Sequence, residues 1–326
     1  MRLSDDIMWT RLSLPFRLDH VNVYFLRDGD GWAILDAGLA DDGTKAAWET
    51  LLAGPLRREK FTRMIVSHFH PDHVGLAGWL CERLDVPLWC GRETYLLTVN
   101  ALAERAKVIQ SPVWDFFRAN GMSHEIAEIT ATRGLHYQTL VSPLPVTYRR
   151  LIPGQILSVG RLRFRILSGG GHCPEQIMLH DPGANLFLAT DQVIEKISPN
   201  VSIQPFEPFE NPLGAFLASL AEIKREIPED ALVLSGHHRP FQGLHERCDE
   251  LTTHHAQRCD IILDTCRAGP QSAQDLLPHL FRPGLSSHET SFAFGETLAH
   301  MNHLIECGRL AWQVAPDGLR RVALPE

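Results

Sequence analysis

The sequence lacks several features that would assign it to a specialised class of protein. It has no run of about 18 consecutive apolar residues, the minimum for a helix that crosses a membrane. The segment from Met1 to Asp6 contains two acidic side chains and no apolar stretch suited to a secretory signal. We therefore expect a cytoplasmic protein with no membrane partner.

A surplus of positive charge is also lacking. The chain carries 31 basic and 39 acidic residues, a formal net charge of −8 at pH 7. Such a chain cannot neutralise a nucleic-acid backbone without a local basic patch, so a nucleic-acid partner is disfavoured. The 326 residues, 44% hydrophobic and 21% charged, are typical of a globular protein with one large core and a smaller module.

Paired cysteines are absent as well. The seven cysteines are odd in number and include no Cys-x-x-Cys pair. This pattern predicts neither a disulfide framework nor a zinc site built from thiolates. We expect most of them to be small core residues. For Cys173 the alternative is a thiol that faces a pocket or a metal.

One stretch, S-H-F-H-P-D-H, is dense in side chains that bind metals. A β-branched apolar run before it predicts a buried strand, which Pro71 cannot continue because it has no amide donor. His68 and His70 are two residues apart in an extended segment, so both rings project to one side and can share a cation. Asp72 and His73 follow the turn and can face a second cation. The alternative is a solvated loop.

The residues S-H-F-H-P-D-H-V-G resemble the H-x-H-x-D-H signature of the metallo-β-lactamase superfamily, whose members are mostly hydrolases with two metals, usually zinc. Those proteins supply three further ligands downstream, a His, an Asp and a His, each at the end of a strand. This chain offers G-G-G-H-C-P with His172, an apolar strand that ends at Asp191, and L-V-L-S-G-H with His237. The resemblance covers residues 1 to about 245.

The resemblance implies a site with two divalent metal ions. One ion would be held by three histidines, the other by an aspartate and two histidines, and a second aspartate would bridge them: His68, His70 and His172; Asp72, His73 and His237; and Asp191. Asp72 is also the predicted catalytic residue, which orients the hydroxide between the ions. Zinc is the favoured metal, and iron or manganese also suits these ligands. Asp36 is expected to anchor hydrogen bonds beneath the metals.

The predicted elements alternate between strands and helices, which indicates an α/β (α+β) fold with helices layered on sheets. By resemblance, residues 1–244 form a four-layer αβ/βα sandwich with a helical insertion at about 92–148. Residues 245–326 are predicted to form three helices and a two-stranded wing, a winged-helix-like module. That module has seven Arg and no Lys against eleven acidic residues, which opposes phosphate binding. We interpret it as a packing or dimerisation module, so a homodimer is one expectation.

Several residues have candidate roles in substrate binding. Asn200 could reach a substrate oxygen or cap its loop, and His238 could act as an acid or base or face solvent. His180 is expected at the surface. Aromatic side chains of the insertion could wall an apolar pocket or attach the insertion to the core: Trp114, Phe116, Phe117 and Tyr137. Residues 101–150 carry six basic and four acidic side chains, including Arg105 and Lys107, a weak indication of an anionic substrate.

The resemblance predicts the reaction type better than the substrate. We favour a small-molecule thioester or related ester, as in hydroxyacylglutathione hydrolases. Counterparts of the lysine and tyrosine that bind glutathione are absent, which argues against glutathione itself. Lactonases place a tyrosine soon after the bridging aspartate, whereas residues 192–197 contain none. A lactonase, a single-stranded RNA endonuclease and a metal-binding regulator without activity are the alternatives.

Overall fold

The computed structural model describes residues 1–103 and 110–325. Its first sheet has six strands in the order β1-β2-β3-β4-β5-β6, antiparallel from β1 to β3 and parallel from β3 to β6. The strands are β1 (Ile7–Ser13), β2 (His20–Asp28), β3 (Gly31–Leu35), β4 (Phe61–Val66), β5 (Leu88–Cys90) and β6 (Arg149–Arg150).

The second sheet has five strands in the order β11-β10-β9-β8-β7. Its strands are antiparallel except for the parallel pair β10 and β11. A separate antiparallel pair, β12 and β13, lies near the end of the chain. These strands are β7 (Ile156–Val159), β8 (Leu162–Gly169), β9 (Gln176–Asp181), β10 (Leu186–Thr190), β11 (Leu232–Ser235), β12 (Ala311–Val314) and β13 (Arg320–Ala323).

Helices cover the outer faces of both sheets. The first begins where the Asp41 side chain accepts a hydrogen bond from the Thr44 amide, at 2.7 Å, which satisfies one free amide of the first turn. The helices in the described residues are α1 (Asp42–Ala53), α2 (Pro71–Val74), α3 (Ala77–Leu84), α4 (Arg92–Leu102), α5 (Gln110–Ala119), α6 (His124–Leu140), α7 (Pro212–Glu226), α8 (Leu244–Cys266), α9 (Ala273–Leu280) and α10 (Ser287–Glu306).

Alternate side chains of the central strands lie in different cores, which defines the layers. In β10, Leu186 and Leu188 join the core between the two sheets, whereas Phe187 and Ala189 join the core beneath α7 and α8. A third core lies between the first sheet and its helices, and it includes Trp48 of α1. Because successive residues of a strand face opposite sides, both faces of each sheet are covered. The predicted α/β class and its four layers are confirmed.

The C-terminal module has the predicted three helices and two-stranded hairpin. Its helices α9 and α10 both begin with a capping box, in which Ser272 pairs with Asp275 and Ser286 with Glu289. Residues of α8, α9 and α10 share one apolar core with the second sheet, so the module packs within its own chain. The domain boundary at residue 244 stays a prediction, as does dimerisation.

The ligand loop is followed by two short helices, α2 and α3, separated at Gly75 and Leu76, where the Leu76 amide donates to the Gly38 carbonyl at 3.0 Å. One local expectation was wrong. His180 is buried, with 3% of its surface exposed, and packs against Phe187, since both faces of β9 are covered. Within the described residues, none of the helices is both long and apolar enough to cross a membrane.

A buried histidine pair joins α8 to α10. The His255 Nδ1 atom lies 3.1 Å from His300 Nε2, and His300 Nδ1 donates to the Glu296 carbonyl at 2.8 Å. His255 Nε2 lies 3.4 Å from the Ser198 hydroxyl oxygen. Burial, followed by the charge of neighbouring histidines, lowers the pKa of His255 to about 2, and burial lowers that of His300 to about 3. Both rings are therefore neutral in the folded protein.

We predict that this pair makes the protein less stable in acid. Both folded pKa values lie below the ordinary value of 6.5, so between about pH 6.5 and 3 the unfolded chain binds more protons. Each histidine then costs up to about 1.4 kcal/mol of unfolding free energy per unit of falling pH. We expect the unfolding free energy of metal-free protein, measured with denaturant from pH 7 to 5, to fall less steeply with pH in His300→Gln than in wild type. The exposed control His279→Gln should keep the original slope, and equal slopes for all three proteins would contradict this account.

Candidate metal centre

The ligand loop leaves β4 at its carboxyl end. Ser67 to His70 continue the strand direction, and Pro71 occupies the first turn of α2, where its missing amide costs no hydrogen bond. The loop brings His68 Nε2 within 3.0 Å of His70 Nδ1. Two ring nitrogens at this distance need a proton or a cation between them, because lone pairs that face each other repel.

Three other segments complete the cluster. His172 comes from the β8–β9 loop, Asp191 directly follows β10, and His237 follows β11 after Gly236. The backbone of Gly171 has φ +93°, and a Cβ there would lie 2.5 Å from the Cβ of Phe216, so a larger residue could not replace it. The structure thus brings together all seven predicted ligands, four from the first sheet and three from the second.

The seven side chains form three overlapping groups, and the middle group contains Asp191. Ligand atoms lie within 4.8 Å of one another in three groups: His68, His70 and His172; His68, His73 and Asp191; and Asp72, His73 and His237. The Asp191 Oδ2 atom is 3.1 Å from the Nε2 of His237, 3.4 Å from that of His73 and 3.6 Å from that of His172. A carboxylate in this position can bridge two ions.

Hydrogen bonds behind the cluster fix the orientation of three of its five rings. The Nδ1 atoms of three rings donate to oxygen atoms of the protein: His73 to Asp36 Oδ2 at 2.8 Å, His172 to the Asn200 carbonyl at 2.9 Å, and His237 to the His20 carbonyl at 2.7 Å. An Nδ1 that donates leaves the Nε2 of a neutral ring free as a metal ligand. The predicted anchoring role of Asp36 is confirmed, and its carboxylate also binds the Ser67 hydroxyl.

The donor set fits divalent cations. The Nε2 atoms of His73 and His172 and the Oδ1 atom of Asp191 are buried without a hydrogen-bond partner. Unpartnered buried polar atoms are costly, and divalent ions bound here would satisfy all three. Five imidazole nitrogens and two carboxylates suit zinc, iron or manganese.

The electrostatics of the cluster lead to the same conclusion. Burial and nearby imidazoles hold the pKa values of His68 and His70 well below the ordinary range, so both rings are neutral, the form that can bind a metal. Burial opposes a charge on His73, but the carboxylates of Asp191, Asp72 and Asp36 outweigh it and raise its pKa well above that range. A field that draws a proton to His73 also attracts a metal cation.

The backbone is strained where it supports the ligands. Asp36, Thr190 and His238 have φ values of 65°, 48° and 63°, in the left-handed region that side chains with a Cβ rarely adopt. Such conformations cost about 1–3 kcal/mol each and persist where the surroundings enforce them. Thr190 directly precedes the ligand Asp191, and His238 directly follows the ligand His237, so the strain is concentrated at the centre.

The two predicted substrate residues lie beside the cluster. The Asn200 side chain forms hydrogen bonds with Ser202 and Glu296, at 2.6 and 3.4 Å, and the Asn200 backbone carbonyl accepts one from His172. The backbone amide of His238 donates to His20 Nε2, and its own Nε2 is buried without a hydrogen-bond partner. Their roles toward a substrate stay predictions.

The aromatic residues of the insertion serve as attachments. Phe117 is buried and contacts Phe294 of α10 at 6.0 Å between ring centroids. The Tyr137 hydroxyl donates to the Phe69 carbonyl at 2.6 Å, which fixes the peptide between the first two ligands. No pattern in the sequence indicates this contact, because 68 residues separate the two partners. Cys173 is buried, and its role as filler or pocket thiol stays a prediction. Arg105 and Lys107 lie outside the described residues.

The fold and this cluster define a metal-dependent hydrolase. The sequence matches the family model "Metallo-beta-lactamase superfamily" over residues 16–242 and "Metallo-beta-lactamase-like, C-terminal domain" over residues 259–323. The chain therefore belongs to the metallo-β-lactamase superfamily, whose members generally bind divalent metals.

Solved structures with this architecture span the whole chain. A beta-lactamase domain protein from Burkholderia ambifaria is 34% identical with a TM-score of 0.91, over 100% of this chain and 94% of that one. A metallo-beta-lactamase family protein from Thermus thermophilus is 28% identical with a TM-score of 0.82, over 99% and 100%. "Probable metallo-hydrolase YqjP" of Bacillus subtilis (strain 168) is 20% identical over 92% of each chain.

The close approach at Gly236 provides a test of the centre. A Cβ there would lie 2.1 Å from Asp191 Oδ1 and 2.8 Å from His73 Cε1. We expect Gly236→Ala to displace the Asp191 carboxylate and weaken metal binding about tenfold or more, measured by competition with a chelator. The control Gly43→Ala adds a Cβ that meets only Asp41 Oδ1, at 3.4 Å. Unchanged affinity in Gly236→Ala would show that the Asp191 carboxylate is not a ligand.

Proposed function

We propose that this protein is a hydrolase of thioesters or related esters of small molecules, with two zinc ions held by the seven side chains of the cluster. The observation that carries the proposal is the position of Asp191 Oδ2 between the two sets of histidines, within 3.6 Å of three Nε2 atoms. A site for a single ion would not need an acceptor shared in this way. The proposed ligands are His68, His70, Asp72, His73, His172, Asp191 and His237.

The chain positions the reaction, and the ions supply Lewis acidity. Divalent ions bound here would lower the pKa of water from 15.7 to about 7 and polarise the carbonyl of the substrate. Asp72 is the more accessible of the two carboxylates, with 20% of its side chain exposed against 6% for Asp191. Asp72 therefore orients the attacking water and accepts its proton, whereas the buried Asp191 stays ionised and fixed.

Acidic side chains near the site favour a small ester over a polyanion. The Glu175 carboxylate accepts a hydrogen bond from the Glu93 amide at 3.0 Å, and burial followed by Asp191, Glu175 and Glu93 raises the pKa of the Cys173 thiol. Burial, and then Glu207 and Glu93, likewise raise the pKa of Glu210. A phosphodiester backbone would meet repulsion from this group of carboxylates.

Two of the six basic residues at 101–150 are engaged in other contacts. Arg118 donates to the Met122 carbonyl and lies over Trp114, and Arg149 lies over the ring of Trp89. Because of these contacts, the excess of basic over acidic residues at 101–150 is weaker evidence for an anionic substrate. We therefore propose an ester or thioester substrate without specifying its charge, which test compounds of different charge can determine.

Metal content tests the site directly. We expect elemental analysis to give two divalent ions per chain, zinc in the majority, and fewer in His68→Ala and Asp191→Ala. Removal of a ligand should lower kcat/KM by about 100-fold or more, since loss of a residue that only supports a ligand already costs 10- to 100-fold. The exposed His279→Ala is the matched control. Wild-type protein that stays free of metal after reconstitution would disprove the site.

A panel of substrates tests the class of reaction. We expect hydrolysis of acyl-CoA or acyl-glutathione thioesters, and no cleavage of single-stranded RNA, because of the acidic groups beside the centre. An N-acyl homoserine lactone separates a lactonase from a thioesterase. RNA cleavage without turnover of any ester would reverse the proposed class, and both activities should disappear on chelation if the metals are responsible.

A further inference from the structure

A second polar cluster lies in the C-terminal module, beside the metal centre. It contains two adjacent histidines of α8, an arginine one turn further on, and two residues of α10: His254, His255, Arg258, Glu296 and His300. Glu296 is 9% exposed and His255 and His300 are fully buried. Burial of a carboxylate and a histidine between two helices costs stability, so the presence of this cluster needs a physical reason.

Metal binding does not explain it. His254, His255 and Glu296 place three ligand atoms within 4.8 Å of one another. However, Arg258 Nε donates to His254 Nε2 at 2.9 Å and lies 3.7 Å from Glu296 Oε1, so a guanidinium already occupies the place of a cation. The nitrogens of His255 face His300 and Ser198. Charge repulsion from the guanidinium would oppose a metal ion there.

The cluster is connected to the metal centre through the segment from Asn200 to Ile203. Glu296 Oε2 accepts a hydrogen bond from Asn200 Nδ2 at 3.4 Å, and the carbonyl of the same Asn200 accepts from His172 Nδ1 at 2.9 Å. The path from the carboxylate to the ligand ring therefore crosses one residue. His172 Nε2, the other nitrogen of that ring, is the unpartnered atom directed into the centre.

The contact between this segment and α10 is close. The Ile203 amide donates to the Gly295 carbonyl at 3.2 Å, and a Cβ on Gly295 would lie 3.1 Å from the Ser202 side chain. The Ser202 hydroxyl donates to Asn200 Oδ1 at 2.6 Å. Asn200 lies in a segment without helix or strand, so its peptide is oriented by these contacts and not by a backbone ladder.

We propose that Glu296, on α10 of the C-terminal module, is a positioning residue that fixes the His172 ring through the Asn200 peptide. The inference rests on the proposed metal site. It gives the C-terminal module a role in holding one ligand of one ion in place. Arg258 balances the charge of Glu296 and keeps the carboxylate at this position. The Nδ1 partners of His73 and His237 lie at the first sheet instead, since Asp36 follows β3 and His20 begins β2.

The affinity of each metal ion is the decisive measurement. We expect Glu296→Ala and Asn200→Ala each to weaken binding of one of the two Co²⁺ ions by about 10-fold. This is the lower end of the range of affinity loss when a residue that supports a metal ligand is removed. Visible absorption of the Co²⁺ protein during chelator competition should show one weakened site and one unchanged site. Glu296→Gln keeps an acceptor for Asn200 Nδ2 without the charge, so it should restore wild-type affinity to within a factor of about three.

A double variant distinguishes positioning from general damage. If Glu296 acts only through Asn200, Glu296→Ala/Asn200→Ala should weaken binding no more than either single change. Glu306→Ala, an exposed acid on the same helix, is the matched control and should leave both sites unchanged. Equal weakening of both ions, a failure of Glu296→Gln to restore affinity, or wild-type affinity in folded Glu296→Ala would each overturn the proposal. Wild-type protein that binds no metal would instead disprove the metal site itself.

Discussion

The structure depends on holding lone pairs and negative charges at one point inside the protein. Five imidazoles and two carboxylates converge with ring nitrogens as close as 3.0 Å, an arrangement that needs shared protons or cations between the facing lone pairs. The surrounding fold must therefore be rigid enough to keep the donors in place. Two sheets packed face to face, with helices outside, provide that rigidity, because strands buried on both sides have few ways to move.

Three of the histidines are held by an oxygen atom on the far side of the ring. Asp36 holds His73, the His20 carbonyl holds His237, and the Asn200 carbonyl holds His172. These partners lie on a turn after β3, at the start of β2 and in the long segment after β10, so the centre draws support from distant parts of the chain. The insertion adds the Tyr137 bond to the ligand loop, and the C-terminal module packs against the second sheet.

The sequence predicted the centre well because its chemistry is local. Four potential ligands in six residues, and single acids or histidines at strand ends, are visible without coordinates. The partners behind them were not visible, apart from Asp36, because a contact such as Glu296 with Asn200 spans 96 residues. His180 was placed wrongly since a turn follows it directly, and its burial depends on helices packed later in the chain.

The division of ligands between the sheets has a consequence for the order of events in folding. His68, His70, Asp72 and His73 belong to the first sheet, and His172, Asp191 and His237 to the second, so neither half alone offers a complete coordination sphere. An ion can be gripped firmly only after the two halves have closed. Ions bound at this centre would therefore slow the unfolding of the finished protein and contribute little to the rate of its folding.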